Sequence, residues 1–154
     1  MTPTVIIACP DYAEKTVLKR MTDLLEPLGG MGNFIRAGER VLLKPNMLSA
    51  SPPERCVTTH PEVVRAVARL VLDSGGIPFI GDSPGLDGFR SVAARTGMDQ
   101  VAQELSIEIR ELDCPVPLAM AAGSVFQKVS VSSHAVEADK IINVPIAKHH
   151  GSAR

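Results

Sequence analysis

Three clusters of side chains in this 154-residue chain can do chemistry, and each follows directly on an apolar run. Lys44-Pro45-Asn46 comes after Val41-Leu42-Leu43 and sets a cation beside an amide, a pair suited to an anionic ligand. Gly81-Asp82-Ser83-Pro84-Gly85 comes after Ile77-Pro78-Phe79-Ile80. Its Asp82 can bind a metal or a hydroxyl, and Ser83 with neighbouring backbone N–H groups can meet a phosphate. Lys148-His149-His150 comes after Ile141-Ile142-Asn143-Val144-Pro145 and adds groups that carry positive charge, ligate metal or transfer a proton.

Each cluster also has a plainer reading. Lys44 can snorkel out of a buried strand while Pro45-Asn46 makes a turn. The Gly81–Gly85 segment can be a turn with an Asx-type bond and glycine at left-handed positions. It carries neither the GxGxxG nor the GxxxxGK(S/T) spacing, so no dinucleotide or P-loop reading follows. Adjacent histidines often diverge, and His149 and His150 without a carboxylate nearby make a weak metal signature. Asp139 reads as a cap or pairing residue at the start of a strand, His60 as a solvent-facing first-turn residue, and His134 has no visible companion. A shared site is favoured by recurrence: charge and loop-forming residues meet at a strand end three times over. In open α/β sheets, ligands lie outside the carboxyl ends of the strands.

The elements that must position these clusters alternate along the chain. Val5 to Ala8 reads as a first strand. Val17, Leu18, Met21, Leu24, Leu25 and Leu28 recur at helical spacing, and Gly29, Gly30 and Gly32 break the pattern. Val41 to Leu43 is apolar throughout, as a parallel strand buried on both faces is. Residues 47–58 form a long loop, whose length points to function or mobility. Thr59 and Glu62 then read as a capping box with Pro61 in the first turn; Val63, Val64, Ala66, Val67, Leu70 and Val71 make the core face, and Gly75-Gly76 the stop. Ile77–Ile80 is the next strand, and strand–helix–strand order implies a right-handed crossover and a parallel sheet. Shorter helical patterns follow at 88–95 and 98–105, divided by Gly97. Ile107, Ile109 and Leu112 predict a strand near a sheet edge. Cys114-Pro115-Val116-Pro117 reads as loop, Val125, Val129 and Val131 as a partly polar strand, 133–138 as a helical turn, and 140–144 as the last strand.

Composition bounds the partners. With 45% apolar and 21% charged residues and a net charge of −1, nothing points to nucleic acid. One Tyr, four Phe and no Trp leave no base-stacking platform. The opening run carries no basic leader, which argues against a signal peptide, and no run approaches the roughly 20 apolar residues of a membrane span. Cys9, Cys56 and Cys114 lack CxxC spacing, so they give neither a disulfide framework nor an iron–sulfur or zinc site. A reducing cytoplasm is the expected home.

The ordered series Leu42-Leu43-Lys44-Pro45-Asn46, Thr58-Thr59-His60-Pro61-Glu62-Val63-Val64, Gly81-Asp82-Ser83-Pro84-Gly85, Thr96-Gly97 and Ala138-Asp139-Lys140-Ile141-Ile142-Asn143-Val144-Pro145, with Lys148 and His150, resembles domain of unknown function 362. The resemblance runs along nearly the whole chain, and the combination is specific where each piece alone is not. It implies that this is the amino-terminal part of a longer architecture, and that ferredoxin-type iron–sulfur modules are associated with it. Ile146 stands where that family carries a lysine, and the cluster-binding cysteines of those modules are missing from this chain.

The expectation is therefore a single α/β domain over residues 1–154, Rossmann-like and doubly wound, with a mostly parallel sheet and helices on both faces. Lys44 and Lys148 would hold a small anion, carboxylate or phosphate, oriented by Asn46 and Asn143, with Ser83 beside them. Asp82, His149 and His150 are the candidates for catalysis and for a divalent metal. The competing expectation is a non-catalytic scaffold that docks a ferredoxin-like partner.

Overall fold

The computed structural model describes residues 4–123, 125–126 and 128–148. Its helices are α1 (Glu14–Leu25), α2 (Pro61–Asp73), α3 (Phe89–Thr96), α4 (Met98–Leu105) and α5 (Ser133–Val136). Its strands are β1 (Arg40–Pro45), β2 (Ile77–Asp82), β3 (Glu108–Glu111), β4 (Pro115–Leu118), β5 (Val129–Ser132) and β6 (Lys140–Val144). Four strands form one parallel sheet in the order β3-β2-β1-β6, and β4 pairs antiparallel with β5. The α/β class and the parallel sheet expected from the sequence are both present.

Alternation along the strands decides which side chains meet which helices. Val41, Leu43, Ile80 and Val144 point to one face and join Val64, Val67 and Val71 of α2 and Val101 of α4 in a single core. A fully buried side chain of this kind contributes about 1.5–3 kcal/mol, so this layer dominates the stability of the fold. β1 and β2 are the two inner strands of the sheet, and Val41, Leu42 and Leu43 of β1 are all fully buried. The opposite face carries Leu42, Phe79 and Gly81; the Arg40 guanidinium lies 5.5 Å from the Phe79 ring centre. A Cβ added at Gly81 would stand 2.8 Å from Leu112 Cδ2 and 2.9 Å from Leu42 Cδ1.

The strand order reverses once. The chain steps outward from β1 to β2 to β3, then returns across the sheet to place β6 on the far side of β1. Right-handed crossovers put the two outward connections on one face, where α2 and α4 pack together against the sheet. The reversal makes the junction of β1 and β6 the topological switch point, where open α/β sheets leave a crevice at the strand carboxyl ends.

Three local expectations are corrected. Val5–Ala8 has no ladder partner among the described residues: the segment is irregular, with Ile6 91% exposed. Extended residues become a strand only when a neighbour takes their hydrogen bonds, and an apolar run alone does not supply one. Of Cys114–Pro117, expected to be loop, residues 115–117 lie in β4. Pro115 and Pro117 are two apart and so share one side of the strand, leaving Val116 and Leu118 to serve the ladder to β5. The cap of α2 is His60 rather than Thr59: its Nδ1 accepts the Glu62 N–H at 3.2 Å.

Candidate functional site

β1 carries Lys44 and Asn46 to the carboxyl end of the sheet, and β2 carries Asp82 there beside them. Lys44 Nζ donates to Asp82 Oδ1 at 2.7 Å, and the Met47 N–H donates to Asp82 Oδ2 at 2.7 Å. Asp82 is only 7% exposed, so its carboxylate sits where an unpaired charge would be costly, and both of its oxygens are engaged. The Asp82 carbonyl also accepts the Leu112 N–H. Asp82 thus fastens the end of β1 to the end of β2 and neutralises Lys44. Taking a metal at Asp82 would require breaking these bonds.

A second network crosses the switch point. Lys148 Nζ donates to Asn46 Oδ1 at 3.0 Å and to the Val57 carbonyl at 3.1 Å. Below it, Thr59 Oγ1 accepts the Asn46 N–H at 2.9 Å and donates to the Val144 carbonyl at 2.7 Å, while the Thr59 N–H donates to the Asn46 carbonyl. Thr59 is buried, so these bonds form a dry clamp between the last residue of β6 and the residue after β1. The partners lie 13 and 85 positions from Thr59, which is why its role is invisible to local pattern; only its hydroxyl just before an apolar helix hints at it.

The charges of the two lysines are treated differently. Lys44 is ion-paired to Asp82. Lys148 is held by two neutral oxygens and forms no ion pair among the described residues, so its charge is oriented but not cancelled. An ammonium has three donors, and two are spent on these carbonyls. Because it can only donate, the amide oxygen of Asn46 must face it, which leaves the Asn46 amide nitrogen for another acceptor.

The other sequence-predicted residues stand around this core unequally. Asn143 is exposed and lies opposite Lys44 in the β1–β6 register, without a side-chain hydrogen bond among the described residues. Ser83 is exposed and likewise makes none. The two loops do touch: Asp87 Oδ2 accepts the Ala50 N–H and the Leu48 carbonyl accepts the Gly85 N–H. Gly81 and Gly85 are not left-handed; Gly81 is a strand residue whose smallness makes room for Leu42 and Leu112. His149 and His150 lie outside the described residues. Among those described, no group of three His, Cys, Asp or Glu is placed to hold a metal ion.

His60 flanks the clamp. Tyr12 stacks on its ring, with centroids 3.8 Å apart and planes 9° from parallel. Burial holds its pKa below the ordinary histidine value, against the opposing pull of the Glu62 and Glu54 carboxylates. The first turn of α2 is closed to ligands as well. Pro61 has no N–H, the Glu62 N–H is taken by His60 Nδ1, and the Val63 N–H is taken by the His60 carbonyl.

Apolar grooves lie elsewhere on the surface. A groove of about 420 Å³ runs along the free edge of β6 between Leu25, Met31, Phe34, Ile35, Ile141 and Ile142. Another of about 400 Å³ opens at the amino ends of β1, β2 and β3, around Arg40, Phe79 and Glu108. The second is at the wrong end of the strands for the ligand crevice of an open α/β sheet.

Comparison with known proteins agrees with the motifs. The chain is 43% identical over 145 residues to the thylakoid-associated protein sll1697 of Synechocystis sp. (strain ATCC 27184 / PCC 6803 / Kazusa). The matched region covers 94% of this chain and 44% of that relative, so the chain spans less than half of the relative's length. No solved structure matches it. The family model described as domain of unknown function (DUF362) matches residues 41–154, which hold β1 from Val41 onward, the Thr59 clamp, Asp82 and Lys148, and the chain belongs to that family.

Proposed function

We propose that this domain binds a small anion at the carboxyl ends of β1 and β6, with Lys148 as the charge that attracts it and Asn46 as the amide that orients it. The observation that carries this reading is the state of Lys148. Its ammonium is fixed by two neutral carbonyls at the switch point, with its charge uncancelled and one donor unspent. Lys44, tied to Asp82, and Asn143 beside it line the same strand ends. His149 or His150 would supply a proton or a metal ligand from the segment that follows.

In the wider architecture the site would serve a redox-linked system in which a ferredoxin-type iron–sulfur module is the partner. The family resemblance supports that setting. No helix among the described residues is long and apolar enough to cross a membrane. A cytoplasmic location fits that, and the thylakoid association of the relative suggests attachment at a membrane surface through other parts or partners.

The test is a titration of the isotope-labelled chain with acetate, inorganic phosphate and sulfate at fixed ionic strength, following backbone amide resonances. Saturable shifts at residues 44–48, 57–60 and 144–148, lost in Lys148→Gln, are expected. Scattered shifts that never saturate, or shifts unchanged in Lys148→Gln, would remove the reading.

A second reading, a docking domain without chemistry, is favoured by the apolar groove at the β6 edge, where Phe34 is 45% and Ile141 is 50% exposed. It predicts that Phe34→Asp and Ile141→Lys abolish capture of a ferredoxin-type partner while the anion response of the wild type persists.

A further inference from the structure

We infer that the anion is a monocarboxylate, and that the site discriminates against phosphate. The inference rests on the anion-site reading above and narrows it by counting charges and donors. Among the side chains that this hydrogen-bond network joins, one positive charge is uncancelled, that of Lys148, because Asp82 cancels Lys44. A phosphate near neutral pH carries more negative charge than one ammonium balances, and its several oxygens call for a cradle of N–H groups. The helix end that faces this junction offers no such cradle. The amides of α2 are capped by His60 or absent at Pro61.

What the junction does offer is two kinds of donor at one place. The third N–H of Lys148 and the amide nitrogen of Asn46 project from a pair already locked together at 3.0 Å. Two donors from adjacent groups, one charged and one neutral, match the two oxygens of a carboxylate. Thr59 keeps that pair in place by holding the Asn46 backbone from both sides. The match also predicts modest affinity, since Lys148 is exposed and water competes for the ligand.

The experiment compares acetate with inorganic phosphate, each replacing chloride at constant ionic strength, by amide shifts and by binding calorimetry. Acetate is expected to bind about tenfold more tightly than phosphate, the difference that one well-placed hydrogen bond and one balanced charge supply. Asn46→Asp is the decisive variant. It keeps an acceptor for Lys148, so the tether and the fold survive, but it removes the amide donors and cancels the free charge. Acetate binding is expected to vanish in it while thermal stability holds. Phosphate binding as tightly as acetate, or acetate binding unchanged in Asn46→Asp, overturns the carboxylate assignment and leaves an anion site standing. No saturable response to either anion overturns the anion-site reading itself, and this inference with it.

Discussion

Thr58 and Thr59 are neighbours in sequence, both buried, and in opposite circumstances. Thr59 Oγ1 joins Asn46 to Val144, whereas Thr58 Oγ1 has no hydrogen-bond partner among the described residues although the residue is only 1% exposed. Replacing a bonded hydroxyl by a methyl leaves a donor and an acceptor stranded, at about 1–3 kcal/mol for each buried group. Replacing an unbonded one removes a penalty. Thr59→Val should therefore lower the unfolding free energy by about 2 kcal/mol or more, with Thr59→Ser retaining most of it. Thr58→Val should be neutral or stabilising by up to about 1 kcal/mol. Urea denaturation of the three variants measures both, and equal losses at 58 and 59 would contradict the clamp. At this scale the sequence showed which residues are chemical but not how they are joined. Lys44, Asn46, Asp82 and Lys148 were visible as polar residues at strand ends. That Asp82 cancels one lysine while carbonyls hold the other depends on contacts 38 and 102 positions apart, which no local spacing encodes.

The elements were more legible, because hydrophobic period and glycine stops act locally. The strand at 140–144 and the helical patterns near 88–95 and 98–105 correspond to β6, α3 and α4. Val5–Ala8 misled because a strand is defined by its partner, and β4 because alternate prolines leave alternate donors intact. The start of α2 makes a prediction of its own. The His60 ring caps the helix only when Nδ1 is unprotonated, and burial lowers its pKa below the unfolded value. As pH falls through about 6.5, the unfolded chain takes up the proton first, so stability present above that pH is lost until the folded pKa is passed. Asn caps helices at any pH. His60→Asn should therefore be more stable relative to wild type near pH 5 than near pH 7.5, as read from urea midpoints. A constant difference would deny His60 this role. Gly81 gives a second test. Its added Cβ would press on Leu42 and Leu112, so Gly81→Ala should cost about 1–3 kcal/mol with no change in anion response. Loss of the anion response with stability intact would instead mark the glycine as part of the ligand site.

For the whole molecule, the decisive feature is the reversal in strand order at β1. It sets the carboxyl ends of β1 and β6 side by side and leaves β6 as a free edge beside an apolar groove. A domain built this way has a polar crevice at one end of the sheet and, among the described residues, an edge strand with one side open, and the first is where the proposed ligand belongs. The most direct measurement is the position of a bound monoanion. Crystals soaked in bromide and measured at the bromine absorption edge should give their strongest anomalous peak within hydrogen-bond reach of Lys148 Nζ and the Asn46 amide nitrogen, and that peak should vanish in Lys148→Gln. A strongest peak instead at the loop from Ser83 to the uncapped start of α3, with nothing at Lys148, would contradict the account and move the site to the other side of β1.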